Sequence, residues 1–394
     1  MSERNNLKIL FIPRWFPNRV NPLNGIFIQR HAIAVAKKHE VAVLYVNADP
    51  TMKNKTYDSE YSKEDGIVTV RAYYNNSFPE IPIISSFVKF YRYLQSCRRG
   101  VKLINEKFGK PDISHIHVLS RTFFIAFYYS AFHKIPFLIS EQWSGYFPED
   151  GAYKGFFKKL LTRIAIKQAS AVTAVSESLK KAMLVHGLKN NYFIIPNIVN
   201  TQMFFPSFQE QKKNKITFIH VSNLDDRAKN ISGMINAVKK LSAIRNDFEF
   251  HIVGDGPERN RFEEISRTNN LLNSIVFFHG WKKLSEVAEM MRKADLFILF
   301  SNYETISCVM LESLASGVPV IGSSIPALKE YVKEGMGLLV PPRDENALCD
   351  AMLKAMDNIG SFDKKKMHDY AKDNFSYESV AEKIDTVYQY ILKK

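Results

Sequence analysis

The sequence predicts an α/β protein built from two doubly wound, Rossmann-like domains. Short apolar runs alternate with longer helical patterns from one end of the chain to the other, as expected for a parallel sheet covered by helices on both faces. A length of 394 residues exceeds what one hydrophobic core usually supports, and hydrophobic residues at 46% suffice for two cores. The polar, Pro-punctuated stretch 200–214 separates two sets of predicted strands and is interpreted as a linker.

The predicted strands define the two domains. The first set comprises residues 8–12, 41–46, 67–71, 113–117, 137–140, 171–174 and 193–195. The second set comprises residues 216–220, 249–253, 275–278, 296–300, 318–321 and 337–340. We therefore predict a first domain over residues 1–200, a second domain over 201–376 and a separate final helix over 377–394.

Cysteine usage and hydropathy narrow the class of protein. The three cysteines are widely spaced and form no CxxC or Cys/His cluster, so we expect no disulfide framework, no zinc site and a reducing cytosol. The apolar run 9–12 is too short for a signal peptide. The longer run 123–132 falls below the roughly 18 residues of a membrane-spanning helix. A transmembrane protein is therefore not expected.

The formal net charge of +14 favours phosphorylated ligands, anionic membranes or nucleic acid as partners. Segments 87–110 and 154–163 combine cations with aromatic residues on predicted helices. That composition is typical of a membrane-interfacial surface, and equally of a solvated face whose aromatic residues pack in the core. A nucleic-acid-binding protein is a further interpretation, but no recognisable binding module accompanies the charge. We expect no nucleic-acid partner.

Two carboxylates, Glu304 and Glu312, frame the most informative segment. The run 295–300 predicts a buried strand and 308–315 a helix, so Glu304 lies in the strand-to-helix turn. Ligands of open α/β sheets bind beyond the carboxyl ends of strands, and N–H groups at a helix start attract phosphate. Two nearby carboxylates can then bind sugar and ribose hydroxyls, which suits a nucleotide sugar. Taken singly, Glu304 is as well explained as a helix cap and Glu312 as a solvated helix residue.

Other candidates lie at predicted strand ends. The absence of a Cβ at Gly25 allows a phosphate to approach the backbone, although an ordinary turn glycine is the alternative. His117 ends a strand and shares a strand face with His115. A His-x-His pair can bind metal, but no third ligand is evident in the sequence. A DxD motif, which binds a metal ion together with a diphosphate, is also absent from the sequence, so we expect no metal. Lys229 and Arg227 can neutralise a diphosphate leaving group, with a solvated loop cation as the alternative for Arg227.

The segment that begins at Glu304 and ends at Val320 reads E-x-x-S-x-x-x-L-E-S-L-A-S-G-V-P-V. This spacing closely resembles the signature of family-4 retaining glycosyltransferases with the GT-B fold. Further matches at the first loop, at His117 and at residues 195–197, 253–257 and 277–280 extend the resemblance over nearly the whole chain. It implies two Rossmann-like domains that face a cleft, and a final helix that crosses back onto the first domain.

The resemblance also implies roles for individual residues. Catalytic roles near the transferred sugar fall to His117 and Glu304. The donor diphosphate would be bound by Gly25, Lys229, Thr305, Ile306 and Ser307. The nucleotide and its ribose would be bound by Gly254, Gly280, Trp281 and Glu312. The family usually has an Arg where Asn223 stands, so we predict that Arg227 substitutes for it. Relatives often have His at the position of Gln142, which leaves an acceptor role for that loop open.

These inferences predict a metal-independent retaining glycosyltransferase that moves a hexose-type sugar from a UDP- or GDP-sugar to an acceptor hydroxyl. The expected acceptor is a lipid-linked saccharide or a polysaccharide intermediate. No cofactor is expected, because the nucleotide sugar is a substrate. The predicted location is the cytoplasm, with peripheral binding to the inner face of an anionic membrane. A nucleotide-sugar epimerase on the same fold is the main alternative.

Overall fold

The computed structural model describes residues 6–79, 81, 83–208 and 214–393, which are organised around two largely parallel sheets. In chain order, the strands are β1 (Lys8–Pro13), β2 (Glu40–Ala48), β3 (Tyr57–Glu64), β4 (Ile67–Tyr74), β5 (Ile113–His117), β6 (Phe137–Glu141), β7 (Ala171–Ala174), β8 (Tyr192–Ile194), β9 (Ile216–Val221), β10 (Phe248–Val253), β11 (Val276–Phe278), β12 (Leu296–Leu299), β13 (Val320–Ser323) and β14 (Gly337–Val340).

Helices connect these strands along the chain. They are α1 (Ile26–Ala36), α2 (Ile84–Lys107), α3 (Phe123–His133), α4 (Phe156–Gln168), α5 (Glu177–Val185), α6 (Asp226–Lys229), α7 (Ile231–Ser242), α8 (Arg259–Thr268), α9 (Leu284–Lys293), α10 (Cys308–Ala315), α11 (Pro326–Tyr331), α12 (Glu345–Asp357), α13 (Lys364–Phe375) and α14 (Tyr377–Leu392). Short 3-10 helices occupy Ser144–Tyr146 and Ile359–Ser361.

The strand orders confirm the predicted doubly wound α/β architecture. The first sheet runs β3-β4-β2-β1-β5-β6-β7-β8, and the second runs β11-β10-β9-β12-β13-β14. The order reverses between β1 and β5 and again between β9 and β12. At such switch points the loops that follow neighbouring strands diverge and leave a crevice for a ligand. His117 lies at the first switch point, because β5 pairs with β1 with His117 opposite Pro13.

The edge strand β3 was not predicted from the sequence. It pairs antiparallel with β4, whereas the other ladders of the two sheets are parallel. Its sequence, YDSEYSKE, is polar and none of its residues is fully buried. A strand at a sheet edge can remain polar because one side faces solvent. The apolar-run criterion that identifies buried parallel strands therefore misses it.

The predicted linker forms no helix or strand in its described parts, residues 200–208 and 214. Residues 209–213 of that stretch lie outside the described residues. Phe204 is nonetheless fully buried, so this end of the stretch packs against the protein. The domain boundaries at residues 200 and 376 stay predictions.

The last helix, α14, crosses back onto the first domain as the resemblance implied. Its apolar side chains share one buried cluster with residues of β1 and α1, including Phe11 and Ile28. In addition, Tyr388 Oη lies 2.7 Å from Nδ1 of His115 in β5. Of the predicted helix, Lys394 lies outside the described residues.

Candidate functional site

Side chains from both domains meet where the two sheets end. Arg30 of α1 contacts Glu312 of α10, and Asn197 donates a hydrogen bond to Sγ of Cys308 at 3.3 Å. Helix α10 is therefore attached to the first domain at two points, its first residue and its middle. His31, adjacent to Arg30, places its ring 5.6 Å from the ring of His117. The structure thus brings the His117 region and the Glu304–Glu312 segment to one interdomain junction.

Lys229 and Glu304 form the polar centre of the second-domain side. Lys229 Nζ lies 2.5 Å from Oε1 of Glu304, which also accepts a hydrogen bond from Ser301 Oγ at 2.8 Å. The backbone N–H of Asn302 donates to the carbonyl of Ala228, so the loop after β12 is tied to α6. The Lys229 and Glu304 side chains are only 19% and 9% exposed, which limits solvent screening of the pair. Two residues predicted separately therefore form one charged pair.

The loop between β12 and α10 presents the predicted phosphate-binding segment. Ser307 is the N-cap of α10, and its Oγ accepts a hydrogen bond from the backbone N–H of Met310 at 3.2 Å. Because Ser307 caps this helix, the helix-cap interpretation of Glu304 is wrong. The Ile306 side chain packs in the core. Ile306 can therefore offer a ligand only its backbone, while Thr305 is partly exposed beside it.

Glu312 is not the solvated helix residue of the alternative interpretation. Its side chain is 5% exposed, and Oε1 accepts a hydrogen bond from Arg30 at 2.9 Å, with Arg30 itself 7% exposed. Burial raises the pKa of Glu312 despite the opposing charge of Arg30. Arg30 also donates to the Ile198 carbonyl. Arg30 was not predicted from the sequence, although a lone cation among the apolar residues of α1 was a usable signal.

His117 is completely buried at the end of β5. Its ring stacks on Phe11, with centroids 4.6 Å apart, and neither ring nitrogen has a hydrogen-bond partner among the described residues. Burial, followed by the neighbouring His115 and His31, holds the pKa of His117 well below its usual range. His115 differs, because its ring nitrogens contact the hydroxyls of Tyr388 and Ser140. A neutral, unpartnered imidazole at a sheet switch point is unusual, since buried polar groups are normally paired.

The candidate glycines lie at backbone close contacts. Gly25 adopts a φ of 69°, and a Cβ there would lie 2.3 Å from the carbonyl oxygen of Trp15. A Cβ on Gly254 would lie 1.8 Å from the Ser222 carbonyl oxygen. The N–H of Gly254 donates to the carbonyl of Gly280 at 2.9 Å, so these two predicted nucleotide-pocket residues are adjacent, with the exposed Trp281 next to them. Both Gly25 and Gly254 are thus required by local packing, whether or not a phosphate binds.

Arg227 is not brought to the Lys229–Glu304 pair. Its guanidinium instead donates to the backbone carbonyl of Asp150 in the first domain. Its own carbonyl accepts a hydrogen bond from the Asn302 side chain at 2.9 Å. In this arrangement Arg227 connects the two domains.

Glu141, at the end of β6, was not predicted from the sequence as a site residue. This fully buried carboxylate accepts hydrogen bonds from the backbone N–H groups of Leu119 and Trp143 and from the hydroxyl of Tyr146. It therefore holds the loops after β5 and β6 together. A glutamate directly after the apolar run 137–140 was the signal that could have identified it.

Two properties of the described ranges bear on cofactors and membranes. Across residues 6–79, 81, 83–208 and 214–393, no three His, Cys, Asp or Glu side chains are grouped so as to hold a metal ion. In the same part of the chain, no helix is both long and apolar enough to cross a membrane.

Solved structures share this architecture over almost the full length. Sucrose-phosphate synthase from Thermosynechococcus elongatus superposes with a TM-score of 0.78 at 19% identity, over 98% of this chain and 99% of that one. Anabaena HepE in complex with UDP and glucose superposes with a TM-score of 0.71 at 17% identity, over 97% and 99%. At these identities the likeness shows the fold alone, which is GT-B.

Curated relatives match at the level of sequence. N-acetyl-alpha-D-glucosaminyl L-malate synthase of Bacillus anthracis is 26% identical over 59% of this chain and 63% of its own length. The gpi3 subunit of the phosphatidylinositol N-acetylglucosaminyltransferase of Schizosaccharomyces pombe is 23% identical over 59% and 51%. The matches thus span between half and two thirds of these two relatives. The putative teichuronic acid biosynthesis glycosyltransferase TuaC of Bacillus subtilis is 24% identical over 88% and 89%.

The fold and the interdomain site define a GT-B protein. Two family models match adjacent parts of the chain: Glycosyltransferase Family 4 matches residues 26–203, and Glycosyl transferases group 1 matches residues 202–374. The chain belongs to the family-4 GT-B glycosyltransferases.

Proposed function

We propose that this protein transfers a hexose-type sugar, with retention of configuration, from a UDP- or GDP-sugar to an acceptor hydroxyl. The observation that carries the proposal is the Lys229–Glu304 pair at the start of α10, joined to the first domain beside His117. A cation and a carboxylate at the carboxyl end of a parallel sheet suit a diphosphate and a sugar bound side by side. The HepE structure contains UDP and glucose, and TuaC is named a putative teichuronic acid biosynthesis glycosyltransferase.

In the proposed reaction, the bond between the sugar C1 and the phosphate oxygen breaks while a bond forms between C1 and the acceptor oxygen on the same face. The acceptor proton passes to an oxygen of the departing diphosphate, so no protein nucleophile is needed. Lys229 and the amides of Thr305 to Ser307 stabilise the charge that grows on the diphosphate. His117, neutral and unpartnered, is proposed to supply a hydrogen bond to the sugar, and Glu304 to bind its hydroxyls.

The remaining donor contacts are assigned by position. Glu312 is proposed to accept hydrogen bonds from ribose hydroxyls while its other partner, Arg30, holds it in place. Gly25 would let the diphosphate approach the start of α1. Gly254, Gly280 and Trp281 would border the base. We also propose that the reaction requires neither a metal ion nor a cofactor.

The acceptor is proposed to be a lipid-linked saccharide or a polysaccharide intermediate, reached from the cytoplasmic face of an anionic membrane. Exposed aromatic residues on the first domain support peripheral binding. Phe156 and Phe157 at the start of α4 are 74% and 78% exposed, and Phe87 on α2 is 70% exposed. Cations accompany them, with Arg98 on α2 and Lys154 just before α4, so apolar insertion and attraction to anionic lipid would act together.

A thermal-shift screen of nucleoside diphosphates and their sugar conjugates tests the donor. A ligand that binds only the folded state stabilises it by about 2.7 kcal/mol at a concentration of 100 Kd. We expect UDP or GDP and one sugar conjugate to raise Tm, with the same result in the presence of a chelator. Proton NMR of the product must then show the anomeric configuration of the donor.

Product analysis separates the alternatives. Epimerisation of the sugar without any acceptor would support the epimerase. A salt-sensitive complex with nucleic acid, combined with no response to any nucleoside diphosphate, would support the nucleic-acid-binding protein instead. Either result would refute the transferase.

A further inference from the structure

A cavity of about 850 Å³ lies over the carboxyl edge of the first sheet. Its walls come from the loops that follow β1, β5 and β6 and from α4, and all of its lining residues fall within residues 13–165. None belongs to the second domain, so the cavity is separate from the Lys229–Glu304 pair. It nevertheless adjoins the proposed reaction centre, because the backbone N–H of Arg14 donates to the carbonyl of His117 at 2.9 Å.

Three cations line this cavity together with aromatic rings. Lys158 Nζ lies 3.9 Å from the centroid of the Trp143 ring, and the guanidinium carbon of Arg14 lies 5.6 Å from the same ring. The guanidinium of Arg121 lies 5.7 Å from the Tyr93 ring. Two cations on one indole ring are close enough to repel each other, and the pKa of Lys158 is lowered by burial and then by Arg14.

Glu141 and Asp150, the two carboxylates whose charges act on Lys158, form no salt bridge with these cations. Glu141 accepts hydrogen bonds from backbone N–H groups and from Tyr146, and Asp150 accepts one from Ser144 Oγ. Glu141 and Asp150 each raise the pKa of Lys158, but each by less than Arg14 lowers it. Among the residues that the structure describes, Arg14, Arg121 and Lys158 have no ion-pair partner. The cavity therefore presents a surplus of positive charge to a ligand that enters from solvent, since Arg121 and Lys158 are exposed and Arg14 is partly exposed.

A phosphate group matches this surplus better than a sugar hydroxyl or a single carboxylate. Guanidinium groups bind phosphate oxygens in paired hydrogen bonds, and an ammonium group adds a point charge. Thr122, another lining residue, is buried and its hydroxyl has no partner in the described part of the chain, so a further hydrogen-bonding group is available. The aromatic walls suit an apolar or saccharide segment next to the phosphate.

We propose that this cavity is the acceptor subsite and that it recognises a phosphate group carried by the acceptor, held by Arg14, Arg121 and Lys158. The proposal rests on the proposed function, since it places the acceptor beside His117. Two sources of phosphate fit this chemistry, a lipid phosphate and a soluble phosphate. A lipid phosphate is favoured by Leu161, which lines the cavity and is exposed on α4. The same helix begins with the exposed residues Phe156 and Phe157, so an apolar surface lies next to the cavity.

Tryptophan fluorescence can report binding directly. The chain has three tryptophans, of which Trp15 and Trp143 line the cavity and Trp281 lies in the second domain. In a Trp281→Phe background, titration with a short-chain prenyl phosphate should give a saturable change in fluorescence. The matching neutral prenol should bind at least tenfold more weakly, and inorganic phosphate alone distinguishes a soluble from a lipid source. Binding of either phosphate supports the subsite.

Charge-removing variants test the named residues. Arg14→Gln and Lys158→Gln should each weaken binding by about tenfold, since each removes one charge-assisted hydrogen bond. Arg163→Gln is the matched control, because Arg163 is an exposed cation of the same helix that does not line the cavity. If the neutral prenol binds as tightly as its phosphate, or if Arg14→Gln and Lys158→Gln bind like Arg163→Gln, the subsite is refuted.

Binding of nucleoside diphosphates is measured by thermal shift on the wild-type protein. A rise in Tm with a nucleoside diphosphate but no binding of either phosphate at Trp15 and Trp143 would overturn the subsite and leave the proposed function standing. Phosphate binding without any response to nucleoside diphosphates would overturn the proposed function and leave a phosphate-binding cavity. The two failures are therefore distinguishable.

Discussion

Replacing Glu312 with Gln should destabilise the folded protein far more than the loss of an exposed ion pair. In the structure, Arg30 and Glu312 come from different domains, lie 2.9 Å apart and are 7% and 5% exposed. The substitution keeps the size of the side chain but leaves the guanidinium of Arg30 buried opposite a neutral amide. The consequence is an uncompensated charge at the domain junction.

The expected loss of folding free energy follows from the burial of this ion pair. Removing one partner of a buried ion pair typically costs about 3–5 kcal/mol of folding free energy. Arg30 keeps its second hydrogen bond, to the Ile198 carbonyl, so we expect the lower end, about 3 kcal/mol. Replacing both residues, as Arg30→Met with Glu312→Leu, removes the buried charge altogether and should recover most of this loss.

Urea denaturation followed by fluorescence measures the change, with Lys37→Gln as the control. Lys37 pairs with Glu378 at 46% and 66% side-chain exposure, and such pairs contribute less than about 1 kcal/mol. If Glu312→Gln costs no more than Lys37→Gln, or if the double variant loses the sum of its single variants, the pair is not the buried junction described here. Calorimetry with the identified donor then tests the ribose role of Glu312 on protein that remains folded.

Three further predictions concern the site and the surface. Lys229→Ala should lower turnover by roughly 100-fold, as expected for loss of a group that stabilises the leaving group. Arg227→Ala should lower turnover less, because Arg227 contacts the Asp150 carbonyl. Equal losses in steady-state assays would instead support the prediction that Arg227 takes the place of the family arginine missing at Asn223. Burial lowers the pKa of His220 to about 4 from 6.5. Its contribution to the free energy of unfolding is therefore complete above pH 6.5 and declines as the pH falls toward 4, by up to about 1.4 kcal/mol per pH unit. His220→Asn should reduce the slope of stability against pH below pH 6.5, measured by urea denaturation, by the equivalent of about one proton, and an unchanged slope would contradict this. Sedimentation with anionic vesicles at low salt should show that the protein binds, and that binding is lost when Arg98, Arg99 and Lys102 of α2 are changed to Glu. Absence of binding by the wild-type protein would exclude the membrane surface.

Much of the fold was predictable because buried parallel strands have a strong local signal. Runs such as 9–12 and 296–299 are apolar throughout. The polar strand β3 lacks that signal. The Glu304–Val320 segment was also predictable, since its residues lie close together in the chain and follow one strand. The grouping of Lys229 with Glu304 required only that both follow neighbouring strands of one sheet.

The sequence by itself determined the doubly wound architecture, the strand ends at which polar residues collect and the family signature. Tertiary structure alone decided what those residues contact. Arg30 meets Glu312 across 282 positions of the chain, and Arg14, Arg121 and Lys158 converge from three separate segments. Local patterns predict which face of an element is buried, because that depends on the period of helix or strand. They do not predict which charge lies opposite another, because that depends on how two domains pack.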